Sequence, residues 1–151
     1  MGLDKLLGFL RCFSCRPSKF SGKRVLVVDD GELERKFISR TLEKRGFVVA
    51  TAASGQEALA VIEQQEGFDL VLLDFYMPGQ TGKDLCAHLK TLPKTKDIPV
   101  IFLTGSATDR NVVECFDVGA EYFLRKPISG GVLLRHVDMI LNELAEYPRG
   151  K

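Results

Sequence analysis

Between residues 23 and 146, short apolar runs of strand length alternate with segments whose apolar residues recur at helical spacing, and nothing else in the chain narrows its possible folds so far. Residues 25–28 (Val-Leu-Val-Val) are a continuous branched run, the pattern of a strand buried on both faces. Residues 32–45 then carry Leu33, Phe37, Ile38, Thr41 and Leu42 on one helical stripe, with Gly46 as the stop. Residues 47–51 repeat the strand pattern. Ser54 and Glu57 stand at capping-box spacing ahead of a helix with Ala58, Leu59, Val61 and Ile62. Residues 69–73 read as a third strand and Met77-Pro78-Gly79 as a turn; the next helix runs through Leu85, Cys86 and Leu89 and stops before Pro93. Residues 99–103 form a fourth strand, 108–118 a helix ended by Gly119, 122–124 a short fifth strand, and 131–146 a last helix with Pro148 beyond it. Strands alternating with helices in this way need right-handed crossovers. The expected fold is α/β, with a parallel sheet between two helical layers.

Charge divides the chain unevenly. The net charge is +1, yet within residues 1–24 Lys5, Arg11, Arg16, Lys19, Lys23 and Arg24 face only Asp4. The body beyond is mildly acidic, which argues against a general nucleic-acid binder. No apolar run exceeds about four residues, too short for a bilayer span. The N-terminal apolar stretch is broken by Lys5 and Arg11 and lacks a small-residue cleavage site, so no secretory signal is expected. Four cysteines without framework spacing point to reduced thiols and a cytoplasmic setting. The expected organisation is a basic amphipathic extension over 1–22, one domain over 23–147 and a tail over 148–151.

In an open parallel sheet, ligands bind outside the carboxyl ends of the strands. The first strand ends in Asp29-Asp30, the third in Asp74 and the fourth in Thr104, and the fifth is followed by Lys126-Pro127. Three carboxylates, a hydroxyl and an ammonium would share one crevice. Carboxylates at close range cannot all stay ionised without a compensating cation. Hard oxygen ligands suit Mg²⁺, with Mn²⁺ as a substitute. Such a metal leaves an oxygen of Asp74 free to attack phosphorus, and Lys126 and Thr104 are placed to neutralise the incoming phosphoryl oxygens.

The segments VLVVDD at 25–30, DLVLLDFYMPGQTG at 69–82, VIFLTGSA at 100–107 and GAEYFLRKP at 119–127 appear in this order. Together they make the sequence resemble the receiver domain of two-component response regulators over about residues 23–146, in the manner of the single-domain chemotaxis regulators. The resemblance implies a flavodoxin-like doubly wound (βα)5 fold with strand order 2-1-3-4-5. It implies Asp74 as phosphoacceptor, Asp30 as a direct Mg²⁺ ligand, Asp29 acting mainly through a metal-bound water, and the Tyr76 carbonyl completing the protein's share of coordination. Lys126 would pair with the phosphoryl group ahead of a cis bond to Pro127, and Thr104 and Phe123 would be the switching pair. Tyr76 and Ser106 occupy the two positions that tune phosphoryl lifetime, and a bulky Tyr76 is expected to slow hydrolysis. The implied partners are a sensor histidine kinase or phosphotransfer protein, and a downstream protein bound through about residues 107–147. No separate output enzyme is expected; the chain would catalyse its own phosphorylation and dephosphorylation in a phosphorelay. A scaffold that binds partners without turnover is the competing reading.

Outside these motifs, Leu3, Leu6, Leu7 and Leu10 recur at i, i+3, i+4 and i+7, widened by Phe9 and Phe13 and flanked by Lys5, Arg11 and Arg16. Residues 1–20 could thus bind a partner, self-associate or lie peripherally on a membrane surface. Residue 6 is Leu, which gives no support to myristoylation. Cys12 and Cys15 have C-x-x-C spacing without a second ligand pair. Cys86 and Cys115 read as apolar fillers, and His88 and His136 as helix residues without catalytic neighbours.

Overall fold

The computed structural model describes residues 17–105 and 108–148. The strands are β1 (Arg24–Val28), β2 (Val48–Ala52), β3 (Leu70–Asp74), β4 (Val100–Thr104) and β5 (Tyr122–Arg125). The helices are α1 (Glu32–Glu43), α2 (Gly55–Gln64), α3 (Gly82–Thr91), α4 (Asp109–Asp117) and α5 (Gly130–Glu146). All pairings are parallel and the strand order is β2-β1-β3-β4-β5, the flavodoxin-like order. Among the described residues no helix is long and apolar enough to cross a membrane.

The continuous apolar runs divide between two cores because side chains alternate across a strand. Val25, Val27, Leu70, Leu72, Ile101 and Leu103 pack with Ile38 and Leu42 of α1 and with Leu133, Val137 and Ile140 of α5. Leu26, Val28, Val71, Leu73, Val100 and Phe102 pack on the other face with Ala58 of α2, Leu85, Cys86 and Leu89 of α3, and Cys115 of α4. Every residue of β3 and β4 is buried, whereas β2 and β5 are partly open, as expected of strands at the sheet's edges.

Local signals set most boundaries. Ser54 accepts from the Glu57 N–H at 3.1 Å, while the Glu57 carboxylate accepts from Ala53, one residue ahead of the cap. Thr81, Thr108 and Ser129 cap α3, α4 and α5 in the same way. Gly46 ends the turn after α1 at φ +90, a conformation that side chains with a Cβ rarely adopt. Strand β2 begins at Val48 rather than at 47, because Phe47 leaves this turn and packs into the α1–α5 core.

Contacts with the domain begin ahead of residue 23. Pro17 and the residues after it, assigned from sequence to an extension over 1–22, pack on the domain from Ser18 onward. The Ser18 hydroxyl donates to Asp138 of α5 at 2.9 Å, the Ser18 N–H donates to the Arg45 carbonyl at 2.8 Å, and Phe20 is buried in the α1–α5 core. The cause is a single aromatic: Phe20 offers apolar area to a core that charge patterning alone could not assign to it. The amphipathic stripe from Leu3 to Phe13, with Cys12 and Cys15, lies outside the described residues, as does Ser106.

Candidate functional site

Parallel register delivers three carboxylates to one place. Val28 pairs with Leu73 across β1 and β3, so the next residues, Asp29 and Asp74, leave the sheet side by side. Asp30 follows on the exposed side. Carboxylate oxygens of Asp29, Asp30 and Asp74 all lie within 4.8 Å of one another, close enough to share one cation. Asp29 and Asp74 are buried. Oxygen donors at this spacing, with one of them exposed and open to water, fit a hard divalent ion such as Mg²⁺.

From the other edge comes the ammonium. Lys126 follows β5, its N–H donates to the Thr104 carbonyl at 2.7 Å, and the Lys126–Pro127 peptide is cis. Its Nζ lies 2.8 Å from Asp29 Oδ2, 2.8 Å from Glu34 Oε2 and 3.3 Å from Asp74 Oδ1. Burial pulls the Lys126 amine down, but hydrogen bonds to Asp29 and Glu34 and the charges of Asp74 and Asp29 more than offset this and hold it above its usual value. Asp74 behaves in the opposite sense. Burial pushes its carboxyl up to about 7, Lys126 opposes this, and Asp29 and Asp30 add to it. A divalent cation bound among these carboxylates would favour the Asp74 anion.

Three neighbours are absent from the sequence reading. Glu34, in the first turn of α1, is a fourth carboxylate at the rim, and Arg35 Nη1 donates to the Asp29 carbonyl at 2.7 Å, fixing the loop that carries the acidic pair. An acid in the first turn of a helix is common on account of the helix dipole, so Glu34 had no signal to separate it from that background. The third contributor is Gly82. A Cβ there would lie 2.0 Å from the Asp74 carbonyl oxygen, and its N–H donates to Phe75 at 3.0 Å. Only glycine lets α3 begin so close to the strand end that bears Asp74.

The remaining sequence candidates are spread around this centre. Thr104 is buried at the end of β4. Tyr76 is half exposed on the loop after β3, its ring edge-on to Phe75, and its hydroxyl accepts from Asn111 Nδ2 at 2.7 Å. Phe123 is half-buried on β5, edge-on to Phe116 of α4 with 6.2 Å between ring centroids. With β4 between β5 and the strand that bears Asp74, it sits apart from the carboxylates rather than among them. His136 packs against Tyr122 and contacts the Val132 carbonyl, remote from the acidic centre. Cys86 and Cys115 are buried thiols, both pushed up to about 11, chiefly by burial.

An acidic triad at the carboxyl ends of β1 and β3, faced by a lysine from the end of β5, has a known family behind it. The profile described as response regulator receiver domain matches residues 25–138. The chain belongs to the response regulator receiver family. It is 37% identical over 120 residues to the phosphate regulon transcriptional regulatory protein PhoB of Pseudomonas aeruginosa, covering 80% of this chain and 52% of that protein. It is 36% identical over 104 residues to the two-component response regulator ORR3 of rice, covering 69% of this chain and 79% of that one. Thus the chain spans about half the length of the PhoB protein and most of the rice regulator. Among solved structures, it is similar to the chemotaxis protein CheY4 of Vibrio cholerae, with a TM-score of 0.76 and 32% identity over 80% of this chain and 99% of that chain. A CheY-like receiver from Methanospirillum hungatei has a TM-score of 0.77 at 32% identity, covering 83% of this chain and 98% of that one. Receiver domains bind Mg²⁺ at an acidic pocket and work with a histidine kinase or phosphotransfer partner, and this receiver has the acidic cluster in place.

Proposed function

We propose that Asp74 accepts a phosphoryl group from a phosphohistidine and that this event changes a partner-binding face of the domain. The reading rests on one observation above all: the Asp29, Asp30 and Asp74 carboxylates lie within 4.8 Å of one another, with Lys126 Nζ 3.3 Å from Asp74 Oδ1. A cluster of mutually repelling acids costs stability, and a purely structural scaffold has no use for it.

Asp30 and Asp74 would hold Mg²⁺ directly, with the Tyr76 carbonyl, and Asp29 would act mainly through a bound water. The ion would supply positive charge to the phosphoryl oxygens. The chain's own groups do the rest. The free Asp74 oxygen attacks phosphorus as the P–N bond to the donor imidazole breaks, and the imidazole leaves with the bonding pair. Lys126 moves from its carboxylate partners to a phosphoryl oxygen, and Thr104 supplies its hydroxyl to another. Thr104 pairs with Arg125 across β4 and β5, so a shift at Thr104 reaches β5, where Phe123 packs on Phe116 of α4. A downstream protein would read this change through about residues 107–147.

Donor approach has a surface of its own. Leu33 and Phe37 are exposed on α1 and, with Pro127 and Ile128, line a hollow of about 270 Å³ bordering Lys126. A donor that brings its imidazole to Asp74 would cover this apolar rim. The buried thiols of Cys86 and Cys115 fit a reducing compartment, and we place the protein in the cytoplasm.

The test is intact-mass measurement after incubation with Mg²⁺ and acetyl phosphate, for wild type and Asp74→Asn. A phosphate-sized gain in the wild type alone is expected. If neither acetyl phosphate nor a phosphorylated kinase yields a gain, the reading falls and binding without turnover replaces it.

A further inference from the structure

On the face of the sheet covered by α1 and α5, the two helices approach closely at Gly130, where a Cβ would come within 3.3 Å of Thr41 Cγ2. Beside this contact they leave a hollow of about 390 Å³, within the range of small-ligand sites, and its lining includes neither the acidic triad nor Lys126. Its charges do not balance. Lys44 and Arg45 come from the end of α1 and Arg135 from the second turn of α5, against one carboxylate, Asp138. Asp138 is already committed: Oδ1 accepts from the Ser18 hydroxyl at 2.9 Å, and Oδ2 lies 3.5 Å from Arg45 Nη2. Lys44 and Arg135 are exposed, and among the described residues neither side chain has an ion-pair partner. The Arg45 Nε is buried without a hydrogen-bond partner, which is uncommon for a buried donor. Position adds to the imbalance. Cations near the end of α1 suit that helix's dipole, but α5 has no acid in its first turn and places Arg135 just beyond it. Gly131 has nothing within 4 Å of where a Cβ would stand, so the backbone there is open too.

We propose that this hollow between α1 and α5 binds a phosphate monoester, with Lys44 and Arg135 meeting its charge and Leu134 offering apolar surface to its organic part. A monoester carries close to two negative charges at neutral pH and three strongly accepting oxygens, so it can meet two separate cations at once. A single carboxylate matches such a pair less well. The hollow is far larger than a bare phosphate ion needs, at about 30 Å³ for each water-sized group, and leaves room for an organic body. Phosphate esters reach such a site either dissolved or as the headgroup of a lipid. Residues 1–16, which precede the contact of Ser18 with Asp138, carry Lys5, Arg11 and Arg16 against Asp4, and their charge favours the same ligand. Single exposed cations are common and cost little. Here two of them share a hollow with a third whose Nε lacks an acceptor. The site stands independently of the proposed role of Asp74, since the two share no residue.

The experiment titrates the full chain with glycerol 3-phosphate in Mg²⁺-free buffer and follows the amide chemical shifts of Gly130 and Gly131. Wild type, Lys44→Ala, Arg135→Ala and Arg135→Glu are compared, with glycerol as the neutral control. A second arm measures sedimentation of the same proteins with phosphatidylcholine vesicles, with and without phosphatidic acid. Saturable shifts are expected in the wild type, with each alanine variant binding about three- to tenfold more weakly and Arg135→Glu more weakly still. All three variants change exposed side chains, so each is expected to fold and to take phosphate from acetyl phosphate as the wild type does. Glycerol 3-phosphate binding that the variants weaken assigns the site to dissolved esters. Sedimentation with phosphatidic acid that Arg135→Glu abolishes, without a response to glycerol 3-phosphate, assigns it to a lipid headgroup. If neither probe binds in a way that the variants weaken, the inference is overturned. None of these outcomes bears on the phosphoacceptor reading, which acetyl phosphate tests separately.

Discussion

The interior of the sheet and its carboxyl end are made by the same strands and obey opposite rules. Along β3, Leu70, Val71, Leu72 and Leu73 alternate between two apolar cores, each residue offering surface removed from water. One residue later Asp74 is equally enclosed, yet its enclosure raises its carboxyl to about 7 and sets it against Asp29. The interior stabilises the domain through contacts that form on folding. The carboxyl end is held together despite its charges, by Lys126, by Arg35 on the Asp29 carbonyl and by the close approach of Gly82. Stability in one region carries the electrostatic cost of the other, a common arrangement at functional sites.

Substitutions separate the two regions. Phe102, fully buried at the centre of β4 and edge-on to Phe75, belongs wholly to the interior. Phe102→Ala is expected to cost about 3–5 kcal/mol in denaturant unfolding, a large share of the stability of such a domain. A loss below 1 kcal/mol would mean that this core is not the source of stability assigned to it. Asp74→Asn should act in the reverse direction. Removing a buried carboxylate that faces Asp29 is expected to raise stability by on the order of 1–3 kcal/mol in Mg²⁺-free buffer at pH 8, while abolishing phosphorylation. Added Mg²⁺ should then stabilise the wild type more than the variant, and a destabilised Asp74→Asn would erase the contrast drawn here. The smallest effect on stability belongs to Leu33, exposed on α1. Leu33→Ala is expected to change unfolding by less than about 0.5 kcal/mol, to leave phosphorylation by acetyl phosphate unchanged, and to slow transfer from a phosphorylated protein donor. Equal transfer rates from the protein donor would remove the α1 hollow from the donor surface.

Much of this was legible from local pattern. The continuous runs identified the buried strands, the spacing of Leu33, Phe37, Ile38 and Leu42 identified α1, and Ser54 with Glu57 marked the start of α2, because each signal is carried by residues within a turn or two of one another. The acidic pair and Asp74 were legible as strand-end residues, since topology sends every parallel strand's carboxyl end to the same edge. What resisted was anything set by residues distant in sequence. Phe20 joined a core whose other members come from the sheet, α1 and α5. Glu34 looked like an ordinary helix-start acid until Lys126 arrived beside it from the far end of the chain. Nothing in the spacing of Tyr76 and Asn111 announces that one accepts a hydrogen bond from the other.

The sequence by itself determined the alternation of strands and helices, the two-faced burial of the strands and the family to which the chain belongs, because periodicity and ordered motifs are properties of short segments. Tertiary structure alone decided which carboxylates share Lys126, how closely α3 may approach Asp74 and which side chains join the segment after β3 to α4. Those outcomes depend on register and packing between strands, and a shift of an ångström or two at a strand end decides whether a charged group reaches its partner at hydrogen-bond distance.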